Sequence, residues 1–397
     1  MRKTDRDIQG RNADLMRLAG VLLRSAMMLA VVTSLLAFVS CGNGSGDDPD
    51  TPGTTPDQPK TDKPIVFSAL QQGEQEVTRA TTTTPLEDKN VNVFEVWGFK
   101  NTSYDSNSNS YGSVQTVIGA PSSMGYHVVW TNNSAYTTTS NTDGWEYVNK
   151  QNEGEVEQTI KYWDWSANAY RFFGVTDVTK TTVTGGSADY RISFKADAAH
   201  EDASPYYSRL WFSTGNPTDY PTRQFGQPVK LEFLKPFAYV RFVFVPSDPG
   251  VTLEELKITA PSFGPITSGQ KIAVNGTFTV IYPLTGLSIS ESWNTIPGTD
   301  DDDKIPPFSV AYTDANQKWY TVLPAVGQGA FKLQMTVNGD PDKGCTIAAE
   351  YMDWLPGYSY TYVFKVSEEG GVNLGEVLTA YTNWKTASDG EYTIYNW

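Results

Sequence analysis

Apolar and polar residues alternate with a period of two along most of the chain beyond residue 63, as they do in strands that bury one face. The strands predicted from this alternation lie at residues 65–70, 91–99, 170–175, 190–194, 231–233, 240–244, 256–258, 278–282, 319–323, 331–335, 346–351, 358–366 and 392–397. Pro and Gly residues separate these segments, and no long segment has the 3.6-residue apolar spacing of an amphipathic helix. The pattern therefore predicts an all-β protein.

Aromatic residues are abundant, with 11 Trp, 22 Tyr and 18 Phe among 397 residues. Together with the many Thr and Ser residues they suit the pleated surface of a sheet, which favours a β-sandwich. The part of the chain beyond residue 63 is long enough for two domains of ordinary size. Because Pro, Thr, Gly and Asp cluster at residues 215–227, we predict an N-terminal domain of residues 64–225 and a C-terminal domain of residues 226–397.

Residues 1–40 follow a different pattern. Basic residues come first, and an uncharged, mainly apolar run from residue 25 to residue 39 ends at Ser40 and Cys41. This run is shorter than the roughly 20 residues of a membrane-spanning helix, so it indicates an export signal and not a permanent span. Residues 1–40 are predicted to be a lipoprotein signal peptide, with Cys41 carrying the lipid. Residues 41–63 are poor in apolar side chains and are predicted to be a flexible tether.

The net charge limits which partners the chain can bind, and the cysteine content limits whether disulfides can stabilise it. The formal net charge of −15 makes nucleic acid and anionic lipid poor partners, because both repel an acidic surface. The two cysteines are Cys41 and Cys345. With Cys41 acylated, Cys345 has no intramolecular partner, so the exported protein must be stabilised by packing and not by disulfides. The acidic run at residues 300–303 lacks the alternating ligands of a calcium loop and is interpreted as a solvated loop.

Candidate catalytic and metal-binding residues are few. The two histidines, His127 and His200, are too few for a three-histidine zinc site, and neither belongs to an H-E-x-x-H motif. No nucleophile elbow, P-loop or dinucleotide-binding glycine motif follows a predicted strand. Cys345 has no histidine nearby in sequence and is interpreted as a turn or core residue. A glycosidase-type carboxylate pair stays open, because any two of the 45 acidic residues can meet in space. We predict that the chain is not an enzyme and uses no metal or cofactor.

Several segments, taken in order behind a lipoprotein signal, match one family across nearly the whole exported chain. They are Pro64-Ile65-Val66-Phe67-Ser68-Ala69, Val77-Thr78-Arg79-Ala80, Phe94-Glu95-Val96-Trp97-Gly98-Phe99, Tyr162-Trp163 with Tyr170-Arg171-Phe172-Phe173, Val229-Lys230-Leu231-Glu232-Phe233 with Ala238-Tyr239-Val240, Leu323-Pro324, and Trp354-Leu355-Pro356-Gly357-Tyr358-Ser359-Tyr360-Thr361-Tyr362. Single segments of this kind are common in β-proteins, and their order and spacing carry the likeness. The chain resembles the fimbrillins, the pilin family of type V pili.

The resemblance implies two transthyretin-like β-sandwich domains in tandem and a role as a structural subunit of a cell-surface pilus that supports adhesion. It also implies a lipoprotein that is held at the outer membrane by its lipid until an Arg-specific surface protease cuts it. Arg79 matches the cleavage position, and Ala80 becomes the new N-terminus. The residues agree with this, because Arg79 lies between a predicted strand and a Thr-rich run at residues 81–84, and exposed loops of this kind are where proteases cut.

Loss of the first strand gives a hypothesis for assembly. The displaced strand comprises Ile65, Val66, Phe67, Ala69 and Leu70. Its removal leaves an apolar groove with unpaired backbone groups, which a strand of another subunit fills, and the head-to-tail contact yields a homo- or hetero-polymer. The candidate donor strand comprises Tyr392, Ile394, Tyr395 and Trp397. An alternative is that this C-terminal segment is the last strand of its own domain.

Two other readings of the sequence stay open. The chain is either a repeating stalk subunit or a tip or anchor component of the pilus, and a tip subunit has no need of a free donor strand. Alternatively, it is a surface glycan-binding lipoprotein. The stacking platforms of that reading are Trp130, Trp145, Trp163 and Trp165. Aromatic residues at strand positions are, however, more often buried in a core than exposed as sugar platforms.

Overall fold

The computed structural model of the protein describes residues 63–71, 92–119, 124–131, 140–141, 144–196, 205–215, 224–267, 272, 275–298 and 319–381. The chain divides by its backbone contacts into Met1–Gln58 and Pro59–Trp397, and every described residue belongs to the second unit. These residues form strands, turns and two short 3-10 helices, Val178–Lys180 and Ala349–Tyr351. The prediction of an all-β protein is confirmed. Over the same residues, no helix has the length and apolar character that a bilayer span requires.

Twenty strands lie in the described residues. In chain order they are β1 (Phe67–Gln71), β2 (Val93–Asp105), β3 (Ser110–Ile118), β4 (Tyr126–Trp130), β5 (Trp145–Glu146), β6 (Ala169–Val175), β7 (Thr181–Gly185), β8 (Asp189–Ala196), β9 (Tyr207–Ser208), β10 (Trp211–Thr214), β11 (Val229–Leu234), β12 (Ala238–Pro246), β13 (Thr259–Pro265), β14 (Gly276–Pro283), β15 (Ser292–Pro297), β16 (Tyr320–Val322), β17 (Phe331–Val337), β18 (Asp340–Ile347), β19 (Tyr358–Val366) and β20 (Val372–Tyr381).

Nine of these strands form the largest sheet, in the order β10-β6-β9-β11-β1-β5-β4-β2-β3. β6 also pairs with β2, from Glu95 opposite Val175 to Asn101 opposite Ala169. This additional pairing closes β6, β9, β11, β1, β5, β4 and β2 into a ring, which we call the ring sheet. Closing a sheet on itself removes free edges, so β1 is an internal strand with a neighbour on each side.

Three smaller sheets account for the other strands, in the orders β15-β14-β8-β7, β16-β12-β19-β20 and β13-β17-β18. β14 runs antiparallel to β8, from Gly276 opposite Ala196 to Pro283 opposite Asp189. β12 and β19 run parallel over eight residue pairs that begin with Tyr239 opposite Ser359. In β17 the side chains alternate as predicted, because Phe331, Leu333, Met335 and Val337 are buried and the residues between them are not.

Buried apolar side chains form three clusters. The first is built by the ring sheet, with Phe67, Phe94 and Phe172 among its members. The second joins β2 and β6 of the ring sheet to β8 and β14, and in it Phe173 stacks on Tyr282 with ring centroids 4.0 Å apart. The third lies within residues 238–377 and is built by β12, β16 and β19 with β13, β17 and β18. Packing of this extent is consistent with stability that does not depend on disulfides.

Both faces of β6 are buried, whereas many strands have one face exposed to solvent. Tyr170 and Phe172 belong to the first cluster, whereas Phe173 and Val175 belong to the second. All seven residues of β6 are buried. The sequence of β6 therefore reads as a nearly continuous apolar run, as expected for a strand packed between two layers.

Arg171 is the exception within β6, since it is a fully buried cation. Its guanidinium donates to Asn101 Oδ1 and to the Ser288 carbonyl oxygen at 3.4 Å. The rings of Tyr111 and Phe212 lie 5.5 and 4.9 Å from the guanidinium carbon, at distances where aromatic faces attract cations. Burial lowers the pKa of Arg171 to about 10. The side chain thus ties the ring sheet to the segment between β14 and β15.

Two predicted strands are wrong in whole or in part. The strand predicted at residues 346–351 ends at Ile347, and Ala349–Tyr351 form a 3-10 helix. The other is the strand predicted at residues 256–258. Leu256 and Ile258 are buried, but residues 253–257 form a turn, and Lys257 has a φ of 43°. A strand needs extended backbone with negative φ, so this conformation excludes one at residues 256–258. Two buried apolar residues in alternation occur equally in a turn that folds over a core, and the sequence pattern does not distinguish the two cases.

Strands from the two sides of residue 225 share sheets. β11 pairs with β1, and β14 pairs with β8. The third cluster, by contrast, uses residues from the C-terminal side alone. The domain boundary at residue 225 stays a prediction, and these pairings mean that cutting the chain there would separate strands that hydrogen-bond to each other.

Candidate functional site

The predicted removable strand lies inside the ring sheet. β1 runs parallel to β11 from Phe67 opposite Val229 to Gln71 opposite Phe233. On its other side Phe67 lies opposite Trp145 of β5. Ahead of the strand, Pro64 forms an isolated antiparallel bridge with Tyr162. Because β1 links β11 to β5, its removal would open the ring at one position.

The side chains of this segment belong to the first cluster. Ile65 and Phe67 are fully buried, and Val66 and Ala69 are 4% exposed. The ring of Phe67 lies 5.8 Å from Phe172, 5.9 Å from Tyr147 and 6.5 Å from Phe94, centroid to centroid, in edge-on arrangements. Such aromatic pairs are favourable beyond the apolar area that they bury. We call the space that residues 65–71 occupy between β11 and β5 the β1 groove.

Backbone hydrogen bonds hold the start of the segment. The Ile65 N–H donates to the Lys161 carbonyl at 2.8 Å, and the Trp163 N–H donates to the Lys63 carbonyl at 3.1 Å. The Val66 carbonyl accepts from the Val229 N–H at 2.8 Å. We call residues 149–163, which supply the first two partners, the mouth loop. If residues 63–71 left, these backbone groups would lose their partners, and an unpaired buried backbone group is costly.

Tyr147 couples the mouth loop to the groove through its hydroxyl group. Tyr147 Oη donates to the Ile65 carbonyl at 3.1 Å and accepts from the Lys161 N–H at 2.9 Å. Burial raises the pKa of Tyr147 well above its ordinary value, and the Lys161 N–H opposes that shift. The phenol therefore stays neutral and keeps the proton that it donates to Ile65.

A cluster of titratable groups lies where the mouth loop contacts the ring sheet. Glu95 on β2 lies opposite His127 on β4, with 3.5 Å between Glu95 Oε1 and His127 Nε2. Glu155 on the mouth loop places its Oε2 3.2 Å from the same nitrogen. Asn152 Nδ2 lies 3.1 Å from His127 Nε2 as well. The three ionisable side chains are largely buried, with exposures of 11, 17 and 19% for Glu95, His127 and Glu155.

The two carboxylates of this cluster differ in their environments. Burial raises the pKa of Glu95, although the charge of His127 and the Gly125 N–H oppose the shift. The pKa of Glu155 is lowered, because hydrogen bonds from Asn152 and the charge of His127 outweigh an opposing effect of burial. Within the described part of the chain no set of three or more His, Cys, Asp or Glu side chains is placed to hold a metal ion. The cluster brings two carboxylates and one imidazole into contact.

Several predicted site residues lie outside the described residues. They are the lipidation residue Cys41, the cleavage residues Arg79 and Ala80, and the donor residues Tyr392, Ile394, Tyr395 and Trp397. The acidic run at residues 300–303 and His200 lie outside them too. For Leu70 the structure gives the backbone position, opposite Glu232 of β11.

The tryptophans named for a glycan-binding surface are not exposed. Trp145 and Trp163 are 2% exposed members of the first cluster, and Trp130 and Trp165 are partly buried against it. Trp163 also stacks on Phe225, with centroids 5.5 Å apart. Trp145 and Trp163 are thus core residues that offer no open platform on which a sugar ring could stack, and Trp130 and Trp165 pack against the same core.

Cys345 lies on β18 and is half-buried. Burial raises the pKa of its thiol to about 11, which disfavours the thiolate that a nucleophile needs. This environment agrees with the interpretation of Cys345 as a structural residue.

The mouth loop was not foreseen from the sequence. Its residues Asn152, Gln158 and Lys161 are polar and carry no strand alternation, so they resemble an ordinary surface loop. Gln158 illustrates what was missed, because its side chain binds both the N–H and the carbonyl of His127 at 2.8 Å. A side-chain amide that mimics a strand partner in this way leaves no periodic signal in the sequence.

Comparison with solved structures gives distant likenesses. The chain aligns with a Bacteroides uniformis protein assigned to cell adhesion, at 13% identity and a TM-score of 0.38, over 82% of this chain and 100% of the other. It aligns with a fimbrial protein from Bacteroides vulgatus at 13% identity and a TM-score of 0.37, over 80% and 99% of the two chains. It also aligns with the tip fimbrial protein Mfa3 from Porphyromonas gingivalis, at 10% identity and a TM-score of 0.29, over 73% and 92%.

The names of these structural neighbours describe fimbrial and cell-adhesion proteins. Because the TM-scores are below 0.5, these likenesses support no conclusion about the function of this chain. No family model matches the chain, and no curated protein matches it either.

Proposed function

We propose that the chain is a structural subunit of a cell-surface pilus, exported as a lipoprotein through Cys41, cut after Arg79 and polymerised by exchange of β1 for a strand of another subunit. The observation that carries this proposal is the position of β1. It is an internal strand of a closed ring and lies in the piece of chain that ends at Arg79. Proteolysis there detaches β1 from the rest of the polypeptide without touching any of its contacts.

After the cut, β1 is held by non-covalent contacts alone. Burial of a Val, Ile or Phe side chain contributes about 1.5–3 kcal/mol, so Ile65, Val66 and Phe67 together contribute on the order of 5–9 kcal/mol as an upper estimate. The backbone hydrogen bonds of the parallel ladder to β11 stabilise the bound strand further. A strand held so firmly does not leave by itself, and the groove stays filled until another strand offers similar burial and the same ladder.

The C-terminal segment is our candidate for the incoming strand. Tyr392 and Ile394 alternate with Tyr395 and Trp397 on the other face, so either face brings large apolar groups to the groove. Insertion into the next subunit makes a contact between two different surfaces, which propagates into a filament of like or unlike subunits. The partners in this scheme are other pilus subunits, an Arg-specific surface protease and, before cleavage, the outer membrane through the lipid.

Two transthyretin-like sandwich domains are part of the same proposal. The first cluster draws on residues 65–233, whereas the third draws on residues 238–372 for its buried members. Each set is large enough to serve as the core of its own domain.

N-terminal sequencing of the surface form tests the proposal, with the Arg79→Gln variant beside the wild type. We expect the wild type to begin at Ala80 and to form polymers, and the variant to begin at the lipidated Cys41 and to stay monomeric. A wild-type surface form that always begins at Cys41 would contradict the stalk-subunit role and favour an anchor.

Deletion of residues 391–397 tests the donor assignment separately. We expect this truncated chain to be cut after Arg79 as the wild type is, but not to polymerise by itself. If it still polymerises, the donor strand lies elsewhere in the chain.

A further inference from the structure

A cleft of about 490 Å³ opens beside β3. Its lining comes from β2 and β3, from the turn at residues 186–188 between β7 and β8, from β8 and from the segment that follows β14. None of these residues belongs to the β1 groove or to the mouth loop, so the exchange of β1 does not use the cleft. Its volume lies within the range of small-molecule binding sites. We call it the β3 cleft.

The apolar part of the lining is mainly aromatic and reaches the core. Phe99 of β2 and Tyr190 of β8 lie with their ring centroids 5.0 Å apart, and they are 2 and 3% exposed. Leu284, which follows β14, lines the cleft as well. All three belong to the second cluster. Their side chains are therefore held in place by packing, and they offer a preformed apolar surface to a ligand.

The hydroxyl group of Tyr190 has no hydrogen-bond partner within the described part of the chain. Gly185 lies opposite Tyr190 in the ladder between β7 and β8, and a Cβ at Gly185 would lie 2.7 Å from Tyr190 Oη. Glycine at this position thus leaves room for the hydroxyl group beside the turn that lines the cleft. Burial raises the pKa of Tyr190, so the phenol is neutral and keeps a proton that it can donate to a ligand.

Three further hydroxyl groups line the walls of the cleft. They belong to Thr116 on β3, Ser187 in the turn and Thr285 after β14. As far as the structure describes the chain, none of the three makes a hydrogen bond to protein. A hydroxyl group both donates and accepts, so these walls suit a ligand that carries donors and acceptors in several directions.

The cleft provides no charge for a ligand to pair with. Among the described residues that line it, none has a charged side chain. Asp189, which follows the turn, pairs with Arg191 at 3.1 Å. A charged ligand would lose hydration without gaining a counter-charge, and an anion would also meet the net charge of −15. The lining therefore favours a neutral ligand.

We propose that the β3 cleft binds a neutral saccharide. A sugar ring has an apolar C–H face, which fits against Phe99 and Tyr190, and it has hydroxyl groups around its rim. Those hydroxyl groups accept from Tyr190 Oη and exchange hydrogen bonds with the walls. A purely apolar ligand would instead bury the wall hydroxyls without partners. This inference goes beyond the proposed function, because neither cleavage nor strand exchange requires a ligand.

For adhesion, and this consequence rests on the proposed function, a polymer carries as many β3 clefts as it has subunits. Weak single sites that act together bind a saccharide-coated surface more tightly than one site does. The cleft itself is a property of the single chain. It can therefore be tested without any polymerisation.

Ligand-observed saturation-transfer NMR on the uncut, full-length chain provides the test. The neutral probes are glucose, galactose, mannose, N-acetylglucosamine, lactose and maltose, and the acidic probes are glucuronate and galacturonate. We expect at least one neutral sugar to bind with a Kd on the order of 1 mM, as for a ligand of this size. Both acidic sugars should bind at least about tenfold more weakly than the neutral sugar that binds best.

Two variants assign the binding to the cleft. Tyr190→Phe and Thr116→Val each remove one hydroxyl group and nearly keep the shape of the side chain, so each should raise the Kd roughly fivefold, as for the loss of one hydrogen bond. Thr116 is exposed, and its variant serves where Tyr190→Phe does not fold. Tyr104→Phe is the matched control, because it loses a hydrogen bond to Asn109 outside the cleft, and it should keep the wild-type Kd.

The inference is overturned if no neutral probe binds at about 20 mM. It is overturned as well by a Kd that is the same in wild type, Tyr190→Phe and Thr116→Val, since the sugar would then bind elsewhere, or by an acidic sugar that binds as tightly as the best neutral one.

The outcome is separable from that of the proposed function. A sugar bound in the cleft of a chain that never polymerises would support this inference and contradict the pilus proposal. Polymers that form from a chain without sugar binding would do the reverse.

Discussion

Phe67 provides the sharpest test of the idea that β1 is a stably bound but replaceable strand. Its side chain is fully buried and touches the rings of Phe94, Tyr147 and Phe172. The substitution Phe67→Ala removes the ring and leaves a cavity among these three aromatic residues. The backbone ladder to β11 involves no side chain of Phe67, so the change removes apolar contacts and leaves the hydrogen bonds in place.

The expected magnitude follows from known core truncations. A buried Phe→Ala change costs about 3–5 kcal/mol, as the sum of lost transfer free energy and the cavity that remains. Since about 1.4 kcal/mol corresponds to a factor of ten, the cut strand should bind its groove between about a hundredfold and several thousandfold more weakly. In the uncut chain the same change should lower the free energy of unfolding by about 3–5 kcal/mol.

Two measurements check these values. Urea unfolding of the uncut chain gives the change in the free energy of unfolding. Dissociation of the fragment that ends at Arg79, followed after cleavage, gives the change in strand affinity. Ser68→Ala is the matched control in the same strand, because Ser68 Oγ is buried and has no hydrogen-bond partner among the residues that the structure describes. Its removal should change stability by no more than about 0.5 kcal/mol in either direction.

A cost of less than about 1 kcal/mol for Phe67→Ala would refute the reasoning, since it would mean that the groove closes over the missing ring or that β1 is not part of the cooperative fold. A cost for Ser68→Ala equal to that for Phe67→Ala would refute it too. That result would show a disturbance of the strand backbone and not a loss of side-chain burial.

Two further predictions concern Tyr147 and Cys345. Tyr147→Phe removes the hydroxyl group that serves Ile65 and Lys161, and it should lower the urea-unfolding free energy by about 1–3 kcal/mol. Tyr104→Phe, which loses an exposed hydrogen bond to Asn109, should change it little, and equal costs would contradict the role of Tyr147. Burial raises the pKa of Cys345 from 9.0 to about 11. At about pH 8 its alkylation in a Cys41→Ser chain should therefore be about a hundredfold slower when folded than in urea, and equal rates would disprove this environment.

The strands that sequence reasoning located best are those with one buried and one exposed face. β8 and β17 show the predicted alternation, with Tyr190, Ile192 and Phe194 buried in one and Phe331, Leu333 and Met335 in the other. β3 and β7 were not predicted, because most of their residues are exposed or half-buried. A strand that packs few apolar side chains carries no apolar period and is recognised only through its hydrogen-bonded neighbour.

For the candidate site, the sequence indicated which strand matters but not what holds it. The apolar residues Ile65 and Phe67 identified the segment as a buried strand. Its parallel pairing with β11 joins residues far apart in sequence, and such long-range pairings are not encoded in local alternation. The mouth loop and its contact with His127 depend on single polar side chains that meet only after folding.

The sequence by itself determined that this chain is an all-β protein, and it indicated an apolar first strand ahead of Arg79. Local alternation and turn residues are sufficient for that, because they depend on neighbours one or two positions away. Only the tertiary structure decided that β1 lies inside a closed ring, that Arg171 is buried, and that Glu95, His127 and Glu155 come into contact. Those features depend on which distant strands pair and which faces pack together, and the free energy of such contacts is set by burial and distance in the folded chain.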